Sequence, residues 1–136
     1  MDRKIGVWID HKQAFVIGYK DDKVEVIESH IEPPAHYSGG TRLGGKLSQK
    51  ADLELRHNDR INLQLNKYYQ QVITTLKDAS SILIMGPGKA KIEFEKAVKK
   101  HKNLQKRLLK VEAVDKMTKN QMVAYVRKFY SSQATA

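Results

Sequence analysis

The sequence predicts a single α/β domain: a mixed sheet made of three antiparallel strands, followed by an α-β-α-β-α succession. Three observations carry this. β-Branched and aromatic residues crowd short runs between residues 5 and 31, a helical apolar period then takes over, and Ser81-Ile-Leu-Ile-Met85 interrupts it with an apolar run too short for a helix.

Ile5-Gly-Val-Trp-Ile-Asp10 reads as a buried strand and Lys12–Tyr19 as its hairpin partner, with Asp10-His11 as the tight junction. Asp21-Asp22 makes the next turn. Lys23–Ile31 alternates, with Val24 and Val26 on one face and Glu25 and Ile27 on the other, which completes a meander. Pro33-Pro34 ends it, since proline cannot donate to a ladder. From about Leu55 to Lys77 the stripe Ile61, Leu65, Tyr69, Val72, Leu76 has the helical period, with Tyr68 and Ile73 beside it. Ser81–Met85 fits a fully buried parallel strand, broken by Gly86-Pro87-Gly88. A helix follows with Ala90, Phe94, Ala97, Val98 and His101 on one stripe, and Leu108–Val114 is the last strand. Thr118-Lys-Asn-Gln121 has capping-box spacing and opens a helix burying Met122, Tyr125, Val126 and Phe129; the small polar tail 131–136 reads as frayed. A meander followed by two right-handed crossovers is the ribonuclease-H-like arrangement, with helices on both faces of the sheet.

Composition narrows the function. At 136 residues, with 40% hydrophobic and 29% charged residues, the chain is large and apolar enough for a real core. No apolar run approaches the roughly 20 residues that span a bilayer, and the start has no secretory pattern, so a cytoplasmic protein without membrane contact is expected. Absence of cysteine excludes disulfides and thiolate chemistry. The net charge of +10 is uneven: residues 1–50 carry eight Lys/Arg against seven Asp/Glu, and residues 51–136 carry seventeen against eight. A later portion at +9 favours a polyanionic partner, with nucleic acid the commonest; a lysine-rich solvated surface is the plain alternative.

Two segments concentrate that charge. Residues 33–52 lack periodicity, and the stretch His36-Tyr-Ser-Gly-Gly-Thr-Arg-Leu-Gly-Gly-Lys46 alternates glycine pairs with cations. Gly39, Gly40, Arg42, Gly44, Gly45, Lys46 and Lys50 thus form a candidate finger for a phosphate backbone, against the simpler reading of a loose connection. Residues 89–110 carry nine Lys/Arg and only Glu93 and Glu95 as acids. Lys89, Lys96 and Lys100 share a helical face away from Phe94 and, with Lys91, make a candidate contact for phosphates rather than bases.

The Gly-Gly loop after a meander, the helix entered through Glu54-Leu-Arg-His-Asn58 and the strand ending in Gly86-Pro-Gly-Lys-Ala-Lys91 resemble the middle domain of archaeo-eukaryotic peptide-chain release factors and of the ribosome-rescue factor Pelota. With Asp115-Lys-Met-Thr118, the whole chain resembles small stand-alone bacterial relatives labelled translational machinery proteins. The resemblance implies a ribosomal or RNA setting. It departs from the family at one point: the catalytic Gly-Gly-Gln reads Gly39-Gly40-Thr41 and Gly44-Gly45-Lys46 here, and Gln49 follows no glycine pair. Peptidyl-tRNA hydrolysis is therefore not implied, and residual hydrolysis would require Gln49 to substitute.

Other chemistry is weaker. Gly86-Pro87-Gly88 could hold an anion at a helix start, but it lacks P-loop spacing and reads as a tight turn. Asp10, with Glu54, Asp59 and Asp115, could be part of a two-metal nuclease, yet the fourth strand ends in Met85-Gly86 with no acid; Asp10 fits a turn better. The five histidines contain no H-x-x-x-H pair, and Trp8, Tyr68 and Tyr69 read as core. The sequence thus predicts a non-enzymatic protein associated with RNA, a ribosome or tRNA, with no cofactor or metal. A nuclease or a module for an acidic protein partner are the alternatives. Oligomeric state stays open, although the meander edge offers a place for a second copy.

Overall fold

The computed structural model describes residues 3–19, 23–30 and 47–134. Five strands form one sheet in the order β3-β2-β1-β4-β5, where β1 is Lys4–Ile9, β2 Gln13–Gly18, β3 Val24–Glu28, β4 Ser81–Gly86 and β5 Leu108–Ala113. The first three strands pair antiparallel, while β4 runs parallel to both β1 and β5. The helices are α1 Leu47–Thr75, α2 Ala90–Lys99, the single turn α3 Lys102–Gln105 and α4 Lys119–Ala134. This is the mixed, ribonuclease-H-like sheet the sequence predicts.

Alternation along β1 and β4 divides the interior in two. Ile5, Val7, Ile9, Ile82 and Ile84 point to the face covered by α1 and α2, where they meet Val72, Leu76, Phe94 and Val98. Trp8, Leu83 and Met85 point to the opposite face and pack under Met122, Val126 and Tyr130 of α4. Both central strands read as continuous apolar runs because they are buried on both sides. Trp8, Tyr68 and Tyr69 are core, as their surroundings in the sequence suggest.

Close backbone approaches fix the layers. A Cβ on Gly6 would stand 2.3 Å from a Val126 methyl, so glycine lets α4 lie directly on β1. Gly86 ends β4 with φ +152°, and a Cβ there would stand 2.1 Å from the Ile9 carbonyl oxygen. Tyr130, missed in the sequence stripe of α4, is fully buried and donates its hydroxyl to the Ile5 carbonyl at 2.6 Å.

Three boundaries differ from the sequence reading. α1 begins at Leu47, not near Leu55, and so takes in Lys50. The helix is about 43 Å long at 1.5 Å per residue, roughly twice a six-residue strand. α4 continues to Ala134 rather than fraying from Ser131, whose hydroxyl meets that of Tyr19 at 3.1 Å. His101 does not belong to the α2 stripe: it is exposed and stands at the N-cap of α3, a helix whose one buried side chain, Leu104, gives no readable period.

Candidate nucleic-acid interface

The sequence places its candidate contacts in two groups, and the structure describes only one of them. Gly39, Gly40, Arg42, Gly44, Gly45 and Lys46 lie outside the described residues, and Lys50 is placed only as part of the backbone of α1. Lys89, Lys91, Lys96 and Lys100 are all described.

These four lysines divide by environment. Lys89 is the N-cap residue of α2 and Lys100 its C-cap, with Lys96 between them; all three are exposed. At 100° per residue they fall within about 40° of one another, so one face of α2 carries the charge. Lys91 turns away from that face: it is buried, and its ammonium donates to the Gly88 carbonyl. Lys91 therefore closes the Gly86-Pro87-Gly88 turn onto the first turn of α2. Its ammonium is thus bonded within the fold, unlike those of the other three.

Two further cations of residues 89–110 are engaged. Lys99 pairs with Glu95 at 3.2 Å, and Lys110 with Glu112 at 2.8 Å. The hydrogen bond to Lys110 holds the Glu112 carboxyl below its ordinary range, and Glu112 in turn raises Lys110. Among the described residues, the side chains of Lys89, Lys96, Lys100, Lys102 and Lys106 have no ion pair or hydrogen-bond partner. Their charge is available to an external anion.

Lys100 also borders a feature that the sequence did not show. An open groove of about 830 Å³ runs between the last turns of α1 and the α2–α3 junction. Gln70, Thr74 and Lys77 come to it from α1 and the residues just after it; Lys100, Lys102 and Arg107 come from the opposite side. Ile73 and Leu104, both buried, form its floor. Arg107 donates to the carbonyls of Lys77 at 3.1 Å and Ala79 at 2.9 Å, which clamps the end of α1 to the approach to β5. Lys77 and Arg107 are 30 residues apart, so no local motif announces the groove; the only signal was that each end is basic.

At the other end of α2, Asp10 is occupied structurally. Its Oδ1 accepts from the backbone N–H groups of Lys12 and Gln13, both at 2.8 Å, which builds the β1–β2 turn. Nearby, Glu93 Oε1 accepts from the Tyr69 hydroxyl at 2.7 Å and lies 3.1 Å from His11 Nε2. Burial, and then the bond to Glu93, push the Tyr69 hydroxyl well above its ordinary pKa, so it remains a donor. Tyr68, raised by burial and then by Asp10, donates to the Asp10 carbonyl at 2.9 Å. Among the described residues, no three His, Asp or Glu side chains converge as metal ligands would. No described helix is long and apolar enough to cross a membrane.

No protein-family model matches the chain. No curated protein matches it either. Among solved structures, the crystal structure of the archaeal translation termination factor aRF1 aligns with 98% of this chain at 15% identity and a TM-score of 0.47. The chain spans about two fifths of that protein, 41% of its length.

Proposed function

We propose that this chain is a single-domain, non-enzymatic, RNA-associated protein of the translational machinery, which docks on ribosomal or transfer RNA through phosphate contacts. One observation carries the reading: Lys89, Lys96 and Lys100 stand exposed on one face of α2, with no partner among the described residues, in the portion of the chain that holds a net +9. Glu93 projects from the same side of α2, about 20° from Lys100, but its carboxylate bonds to Tyr69, and Glu95 pairs with Lys99, so neither acid of α2 pairs with these three lysines.

Lysine supplies a point charge on a flexible stem, which suits contact with successive phosphates more than bidentate reading of one group. Arg42 and Lys46, which lie outside the described residues, would add two further cations. The sequence likeness of Gly86-Pro-Gly-Lys-Ala-Lys91 and Asp115-Lys-Met-Thr118 to release-factor relatives suggests translation as the setting, and the missing glutamine separates the role from ester hydrolysis.

The test is co-sedimentation with ribosomes and direct RNA binding across a salt series. Affinity is expected to fall steeply between about 50 and 200 mM salt, because phosphate contacts release counterions. Lys89→Gln with Lys96→Gln should weaken binding without altering the fold. Absence of RNA binding and of co-sedimentation at low salt would remove the proposal.

A further inference from the structure

We infer that the groove between the end of α1 and the α2–α3 junction is a binding track for the sugar–phosphate backbone of one RNA strand. The inference rests on the proposed RNA association and gives it a site that the basic face of α2 alone does not supply.

Charge is the first argument. Four cationic side chains line the groove, Lys77, Lys100, Lys102 and Arg107, and none of its described lining residues is an Asp or Glu. Two helix C-termini, those of α1 and α2, oppose an anion there with about half a negative charge each. Four positive charges against about one negative leave the groove clearly cationic. Arg107 also places its guanidinium on the carbonyls after α1, which offsets one of those two ends directly.

The second argument is the chemistry between the cations. Gln70, Thr74 and Asn103 line the groove with amide and hydroxyl groups that donate to phosphate oxygens or sugar hydroxyls. Among its described lining residues the one aromatic ring is the imidazole of His101; no Phe, Tyr or Trp offers a base a broad platform. Such a lining grips a backbone more than it reads bases.

Shape and continuity give the third. Packed helices lie about 8–10 Å apart, so a trough between two of them admits one strand and not a duplex. Lys100 belongs both to this groove and to the α2 face. A strand leaving the groove would therefore pass Lys96 and reach Lys89, about 16 Å further along the helix. On the α1 side, Gln70 and Thr74 of the groove continue at four-residue spacing into exposed Asn66 and Asn62. A regularly charged polymer matches a track of this length better than a compact anion does.

The experiment measures binding of short oligouridylate, mixed-sequence single-stranded RNA and duplex RNA by fluorescence anisotropy over a salt series. It compares the wild-type chain, Lys77→Gln/Lys102→Gln, and Lys89→Gln/Lys96→Gln. The exchanged lysines are exposed, so thermal stability should be unchanged in both variants. For Lys77→Gln/Lys102→Gln, we expect affinity for single strands to drop about tenfold or more, equally for both sequences, and the salt slope to fall by about 1.4. If this variant binds like wild type while Lys89→Gln/Lys96→Gln weakens, the track is overturned and the proposed function stands. If wild type binds no RNA, both fall. Preference for duplex, or displacement of RNA by polyglutamate at equal charge concentration, also overturns the track.

Discussion

The Tyr69 hydroxyl and Glu93 Oε1 lie 2.7 Å apart, joining the two helices that cover one face of the sheet. The same oxygen is 3.1 Å from His11 Nε2, so one carboxylate holds α1, α2 and the β1–β2 turn together. Its partners differ in what they lose without it. Tyr69 is 3% exposed and would keep an unsatisfied buried hydroxyl, whereas the Glu93 side chain is 39% exposed and water could serve it. Glu93→Ala should therefore cost about 1–3 kcal/mol, and Tyr69→Phe about 1 kcal/mol or less. A double-mutant cycle by urea denaturation should give a coupling of about 1 kcal/mol. Strictly additive losses would show that the contact contributes nothing to stability.

Three glycines should rank by what a methyl group would strike. At Gly86 the obstacle is the Ile9 carbonyl oxygen at 2.1 Å, a backbone atom in the central strand, and φ is +152°. At Gly6 it is the Val126 side chain at 2.3 Å, which α4 can relieve by shifting. At Gly88 nothing lies within 4 Å, and only φ +66° resists. Gly88→Ala should cost about 1–2 kcal/mol, Gly6→Ala about 1–3, and Gly86→Ala more than either, enough to threaten folding in a domain stable by about 5–15 kcal/mol. Denaturation midpoints in any other order would contradict the packing described.

Stability should fall steeply in alkali. Burial raises the pKa of Tyr68, Tyr69 and Tyr130 from an ordinary value of 10.0, and each donates its proton in the fold, to Asp10 O, Glu93 and Ile5 O. Above about pH 10 the unfolded chain releases protons that the folded chain keeps, so the stability these groups contribute below that pH is lost as pH rises. Three such groups give a slope of about 4 kcal/mol per pH unit. Tyr130→Phe isolates the effect: it should remove about a third of the slope between about pH 10 and 11.5. An unchanged slope would mean that the Tyr130 proton is not held by the fold.

The sheet was legible because its central strands are apolar throughout and its edges punctuated: Ser81–Met85 allows one reading, and so does the Asp10-His11 junction. Asp10 serves the turn as its position implied, through two backbone N–H bonds. Tyr130 escaped notice because it follows Phe129 and breaks the counted stripe, yet it is the residue that enters the core. The groove was illegible for a different reason. Lys77, Lys100 and Arg107 converge only because α1 is antiparallel to β4 and α3 turns the chain back towards β5. Lys91 shows the converse, since its spacing suggested a surface cation and its aliphatic stem is buried at the start of α2.

The start of α4 tests whether a motif readable in four residues governs a whole layer. Thr118 Oγ1 accepts from Gln121 N–H at 3.1 Å, and Gln121 Oε1 accepts from Thr118 N–H at 2.9 Å, the reciprocal pair of a capping box. Among the described helices, α4 is the one that covers the face of the sheet holding Trp8, Leu83 and Met85, so fraying at its first turn would loosen the packing of Met122. Thr118→Ala should cost about 1 kcal/mol, and Thr118→Ser, which keeps the oxygen, only a fraction of that. Hydrogen exchange separates a local from a global effect. In Thr118→Ala the Gln121 amide should exchange faster than in wild type by more than the global loss accounts for, whereas amides of β1 should change only by that loss. Equal acceleration in both places would mean that α4 and the sheet open as one unit, and that the box serves the whole fold rather than the end of one helix.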